Sequence, residues 1–83
     1  MKYLLLLFIS VSALFGAVDI NKASKEELST LKGIGDKRAD DILEYRDKNK
    51  CFKSVEELRN IKGIGDKFFS NNGDNISASK CVR

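Results

Sequence analysis

The positions best suited to chemistry in this chain lie in one hexapeptide that occurs twice, Lys32-Gly33-Ile34-Gly35-Asp36-Lys37 and Lys62-Gly63-Ile64-Gly65-Asp66-Lys67. Two glycines bracketing an isoleucine leave the main chain bare. Where such a turn opens a helix, the first N–H groups have no partner inside that helix. Those donors, with the partial positive charge of a helix N-terminus, make a candidate seat for a phosphate oxygen. Lys32, Lys37 and Arg38 stand around the first copy, and Lys62 and Lys67 around the second. Their charges would hold phosphates without reading a base sequence. The chemistry indicated is anion binding, with no bond made or broken.

Catalysis finds less support. The chain has no histidine to activate a nucleophile, and two cysteines alone do not make a Cys/His zinc site of the usual kind. Asp40, Asp41 and Glu44 fall on one helix, but no second acidic cluster faces them, so they read as a solvated face. The expectation is a non-enzymatic protein without a bound metal. Lys22, Lys25, Lys48, Lys50, Lys53 and Arg59 read as solvated surface. Phe68 and Phe69 read as one core residue and one partly exposed residue rather than a base-stacking platform.

The elements that must position the hexapeptides repeat with them. A shift of thirty residues lays Ser24–Lys37 on Ser54–Lys67, matching Ser, Glu-Glu-Leu and the whole hexapeptide, the mark of a duplicated supersecondary unit. Ser24 with Glu27, and Ser54 with Glu57, have the spacing of a capping box, which predicts a short helix before each turn. Leu28 with Leu31, and Leu58 with Ile61, then share one helix face. Gly33 and Gly63 are expected in the left-handed conformation that closes a helix, and Asp36 and Asp66 as N-caps of the next one. Behind the first turn, Ala39, Ile42, Leu43 and Arg46 follow helical spacing. Behind the second, Ser70-Asn71-Asn72-Gly73-Asp74-Asn75 should shorten the helix. The predicted core contains Ile20, Leu28, Leu31, Ile34, Ala39, Ile42, Leu43, Phe52, Val55, Leu58, Ile61, Ile64 and Phe69, and no strand pattern is visible. The fold expected is all-α: two pseudo-symmetric units, at about residues 20–48 and 52–77, packed into one small helical domain.

The ends add context. Residues 1–17 have a basic start at Lys2, an apolar stretch over Leu4–Phe15 and small residues at Gly16 and Ala17, the pattern of a cleaved secretory signal. That stretch is shorter than the roughly 20 residues of a membrane-spanning helix. The expected mature chain, 18–83, is then periplasmic or secreted, with no stable membrane insertion. At this size a hydrophobic core alone is marginal, and some staple is expected. Cys51 and Cys81 would be exported together, and export favours a bond between them, with free buried thiols or an intermolecular bridge as the alternatives. The net charge of +3 falls to +2 once Lys2 leaves with the signal. Attraction to a polyanion must therefore come from local placement rather than a strongly basic body.

The pattern hydrophobic-x-Gly-hydrophobic-Gly between two helices resembles the helix-hairpin-helix motif. The duplicated form, opening with "DINKASKEELSTLKGIGDKRADDILEYR" and continuing "FKSVEELRNIKGIGDK", resembles the ComEA-type competence family over Asp19 to about Ile76. The resemblance implies a tandem helix-hairpin-helix fold related to SAM-like helical domains. It also implies sequence-independent binding of double-stranded DNA through its phosphate backbone, and work alongside competence or uptake proteins in natural transformation. On it, Lys32, Gly33, Ile34, Gly35, Lys37 and Arg38 form the first site, and Lys62, Gly63, Ile64, Gly65 and Lys67 the second. No cofactor is implied beyond a monovalent cation that some members hold at a hairpin. Three departures stand out: Phe68 replaces the cation that Arg38 provides in the first unit, Asn72 replaces a residue usually apolar, and Cys51 stands where the connector often has proline. The alternative is an exported protein-assembly module, since a helix-hairpin-helix pair also serves assembly, without DNA, in an extrinsic subunit of photosystem II.

Overall fold

The order of elements follows the duplicated sequence. The computed structural model describes residues 16–83. They run β1 (Val18–Asp19), α1 (Lys25–Leu28), α2 (Asp36–Asn49), a 3₁₀ helix at Val55–Asn60, α3 (Asp66–Asn72), a second 3₁₀ turn at Gly73–Asn75, and β2 (Ile76–Ser77). The expected signal segment falls almost wholly on residues 1–15, outside the described residues. Among the described residues no helix is long and apolar enough to cross a membrane.

The helical, two-unit architecture agrees with the sequence. Leu28 and Leu31 of the first unit and Leu58 and Ile61 of the second are buried, as are Ile34 and Ile64 at the hairpin tips, each 5% exposed. Each Gly-Ile-Gly turn is thus pinned to the core by its isoleucine. The core closes around Ile20, Ile42 and Phe52, all fully buried, and Tyr45 stacks on Phe52 at 5.0 Å between ring centroids. Phe68, not Phe69, is the buried member of its pair; Phe69, Leu43 and Val55 only flank the core.

The two units are not copies in detail. In α1 the capping box forms as expected: Ser24 Oγ accepts the Glu27 N–H at 3.1 Å, and the Glu27 carboxylate accepts the Ser24 N–H at 2.9 Å. Leu28 and Ser29 then close true α-helical bonds to Ser24 and Lys25. In the second unit Ser54 makes no capping bond, and the segment winds as a 3₁₀ helix, with Glu57 N–H bonded to Ser54 O and Ile61 N–H to Leu58 O. The expected second capping box fails because Glu57 is engaged elsewhere. Its carboxylate accepts the Lys53 N–H, the Tyr45 hydroxyl at 3.1 Å and Arg83 Nη2 at 2.8 Å. With the box dissolved, the tighter i to i+3 winding prevails.

Contrary to the strandless expectation, β1 and β2 pair in parallel, Val18 with Ile76 and Asp19 with Ser77. Two residues are too few for a strand pattern to show in sequence. The pairing brings the two ends of the domain together. Asp19 accepts N–H bonds from Asn21 and Ser79, and the Asn21 side chain clamps Phe52, accepting its N–H at 2.7 Å and donating to its carbonyl at 2.9 Å. From α2, Arg46 donates to the carbonyls of Ile20 and Ala23. Cys51 and Cys81 are joined in a disulfide, closing a loop of thirty residues between the connector and the C-terminal tail. Beside it, Arg83 donates to Cys51 O at 2.9 Å.

Candidate nucleic-acid interface

The hairpins are built alike. Ile34 N–H bonds to Leu31 O and Ile64 N–H to Ile61 O, each at 3.1 Å, closing a four-residue turn whose third residue is the glycine. Gly33 has φ +85° and Gly63 φ +96°, a left-handed conformation in which a Cβ is strained. The left-handed glycines read from the sequence are therefore where the fold needs them.

The helix starts depart from expectation by one residue. Gly35 and Gly65, not Asp36 and Asp66, are the N-caps, and neither helix has a side-chain cap. The first backbone bonds are Ala39 N–H to Gly35 O and Phe69 N–H to Gly65 O. The N–H groups of Asp36, Lys37 and Arg38 thus lie ahead of the helical ladder. The aspartates enter the helix at its first position because a bare glycine already occupies the cap. Asp36 and Asp66 still oppose an incoming anion by charge. Asp66, however, is bonded to Arg59 Nη1 at 2.7 Å, and Arg59 also holds Glu56 and lies 4.3 Å from the centre of the Phe69 ring. Those two acidic partners raise the Arg59 pKa above its ordinary value. Arg59, read from sequence as free surface, is a tied residue that offsets the acid at the second helix start. Its counterpart thirty residues earlier is Ser29, so repeat matching gave no sign of it.

The two hairpins converge. Lys32, Gly33 and Ile34 from the first and Gly63, Lys67 and Phe68 from the second line one groove of about 250 Å3, together with Asn71. Lys37 is 84% exposed and pairs weakly with Asp41 at 3.6 Å, an exposed contact that a phosphate can replace. Lys62 lies outside the groove, in a second depression with Lys37, Asp41, Glu44, Tyr45, Lys48, Asn60 and Ile61. At Gly35 and Gly65 no atom of the described residues lies within 4 Å of where a Cβ would stand.

Two residues tie the hairpins together across the repeat. Asn72, at the end of α3, reaches back to the first hairpin: its Oδ1 accepts the Lys32 N–H at 2.9 Å, and its Nδ2 donates to Lys32 O at 3.0 Å and Phe68 O at 3.1 Å. Asn72, which stands where the family usually has an apolar residue, is 1% exposed with its amide fully bonded. In the other direction Arg38, assigned by sequence to the first site, lies against the second. A Cβ built on Gly63 would stand 2.6 Å from Arg38 Cζ. Sequence reasoning found every groove lysine, but neither cross-tie, because each joins residues related only through the packing of the units.

Known proteins bear on this arrangement. The chain resembles a kinesin-like protein, KIN-10B, of Oryza sativa subsp. japonica, with 54% identity over 37 residues, 43% of this chain and 5% of that one. It therefore spans about a twentieth of that relative's length. Residues 15–77 match the model of the helix-hairpin-helix motif, a motif generally associated with nucleic-acid binding. The match covers both hairpins and the helices on either side of them, and the chain belongs to the helix-hairpin-helix family.

Proposed function

We propose that this chain is an exported, non-enzymatic protein that binds double-stranded DNA through its phosphates, without sequence preference, as a receptor in DNA uptake during natural transformation. The observation that carries the binding reading is the convergence of both Gly-Ile-Gly hairpins on one groove flanked by Lys32 and Lys67. Two glycine turns, two helix starts without side-chain caps and a lysine at each side suit consecutive phosphates rather than a base edge. The uptake role rests on the resemblance of Asp19–Ile76 to the ComEA-type family. The Cys51–Cys81 bond supports a periplasmic or secreted setting, since disulfides persist in oxidising compartments.

In this mechanism the first hairpin is the stronger seat. Its helix α2 has 14 residues against 7 for α3, so its free N–H groups are held by the more fully formed helix. Lys37 adds a mobile charge there, and Lys67 does so at the second. No cofactor takes part, and a monovalent cation at a hairpin is compatible with the reading. Partners are duplex DNA and, downstream, uptake proteins.

Fluorescence anisotropy with a short duplex across a salt series tests it. Contact with three or four phosphates predicts affinity no tighter than roughly 10⁻⁴–10⁻⁶ M and a log–log salt slope near about −3, equal for unrelated sequences. Absence of binding at low salt, or binding indifferent to salt, would overturn the DNA reading and favour an assembly module.

A further inference from the structure

The second hairpin has Phe68 where the first has Arg38, and the structure shows what fills the difference. Phe68 is turned into the core, 7% exposed, and offers the groove no charge. The guanidinium of Arg38 crosses from the first unit and lies on the bare face of Gly63. A Cβ there would stand 2.6 Å from Cζ, 2.7 Å from Nη2 and 3.0 Å from Nε. Among the described residues nothing takes the matching place on the first hairpin, where a Cβ on Gly33 would meet no atom within 4 Å. The crossing is thus one-way. Asp41, one turn along α2, holds Arg38 Nη1 at 3.3 Å and fixes the direction of reach, and the Arg38 side chain keeps 33% of its surface exposed.

From this geometry we infer that Arg38 belongs to the second hairpin's anion site, supplying from the neighbouring unit the cation that Phe68 cannot. The inference rests on the DNA-binding reading and deepens it. Only glycine at position 63 lets the planar guanidinium lie so close to the main chain. From there it can turn its exposed edge to a phosphate oxygen held near Lys67. The two hairpins are then unequal in an unexpected sense: the first works with Lys32, Lys37 and backbone N–H groups, the second with Lys67 and a borrowed arginine.

A double-mutant cycle on the full disulfide-bonded chain tests this, with duplex anisotropy across a salt series as readout. Arg38→Ala should lower the magnitude of the salt slope by about 1, as expected for one lost phosphate contact. Arg38→Lys should restore the slope, since the charge returns. If Arg38 and Lys67 hold one phosphate, the Arg38→Ala/Lys67→Ala double variant should lose less affinity than the product of the single losses. Losses from Arg38→Ala and Lys32→Ala should multiply. A slope unchanged by Arg38→Ala, or coupling to Lys32 instead of Lys67, overturns the inference while leaving DNA binding intact. No duplex binding by the unsubstituted protein overturns both.

Discussion

Replacing Asn72 by leucine isolates the tie between the units. Leucine branches at the same carbon and is apolar, so the change removes the amide without leaving a cavity. It strips two bonds from the Lys32 peptide and one from the Phe68 carbonyl. A net hydrogen bond contributes about 1 kcal/mol, and a buried donor left unpaired costs about 1–3 kcal/mol. The Phe68 carbonyl lies within a helix, and the Lys32 peptide is only partly buried, which lets water recover part of the loss. Extra apolar burial offsets roughly 1 kcal/mol more. The expected net destabilisation is about 2 kcal/mol, which lowers the melting temperature of a domain this small by roughly 8–16 °C. Thermal unfolding followed by circular dichroism, with the disulfide intact, measures it. Asn72→Asp keeps the acceptor for the Lys32 N–H but turns a buried carboxylate oxygen toward the carbonyls of Lys32 and Phe68, and should melt below the leucine variant at neutral pH. A leucine variant melting within about 2 °C of the parent would refute the clamp as a stabilising contact.

Reduction of the Cys51–Cys81 bond should lower stability by roughly 3–4 kcal/mol, from the chain entropy of a thirty-residue loop. Denaturant titration with and without reductant checks this, and equal midpoints would contradict it. Acid should act through Glu57 and Asp19. The Lys53 N–H, Arg83 and Tyr45 hold Glu57 below its ordinary 4.5. For Asp19, burial pushes the carboxyl up but is outweighed by the N–H groups of Asn21 and Ser79, which hold it below 3.8. Because both folded values are depressed, their contribution is fully present above about pH 5 and is lost as pH falls through the folded values. Melting temperature should therefore be level from pH 7 to about 5 and then drop, with a smaller drop in Glu57→Gln; an equal drop in that variant would remove Glu57 from the account.

The hairpins were readable because their causes are local. A left-handed turn selects glycine whatever surrounds it, and an isoleucine between two glycines has only the core to enter. What escaped the sequence depends on distant partners. Ser54 and Glu57 have the same capping signal as Ser24 and Glu27, yet Arg83, twenty-six residues on, takes the Glu57 carboxylate and the helix tightens to 3₁₀. Asp36 and Asp66 looked like caps because their residue type suits the role, but glycine one place earlier already had it. Asn72 reads in the sequence only as a polar residue among turn formers, and only the return of α3 toward Lys32 gives its amide a use. The direction of Arg38 depends on how the two units face each other, which a repeat offset does not encode.

The central claim, that the bare hairpin is a phosphate seat and not merely a corner, is tested most directly by Gly35→Ala. Gly35 has φ −97°, which alanine adopts, and no atom of the described residues lies within 4 Å of where its methyl would go. Gly33, at φ +85°, would confound the result with backbone strain of about 1–2 kcal/mol. The Gly35→Ala protein should keep its melting temperature to within a few degrees while its affinity for a short duplex at low salt falls at least about tenfold, the factor that corresponds to one lost charge-assisted contact of roughly 1.5 kcal/mol. Undiminished affinity in a fully folded Gly35→Ala protein would contradict the account.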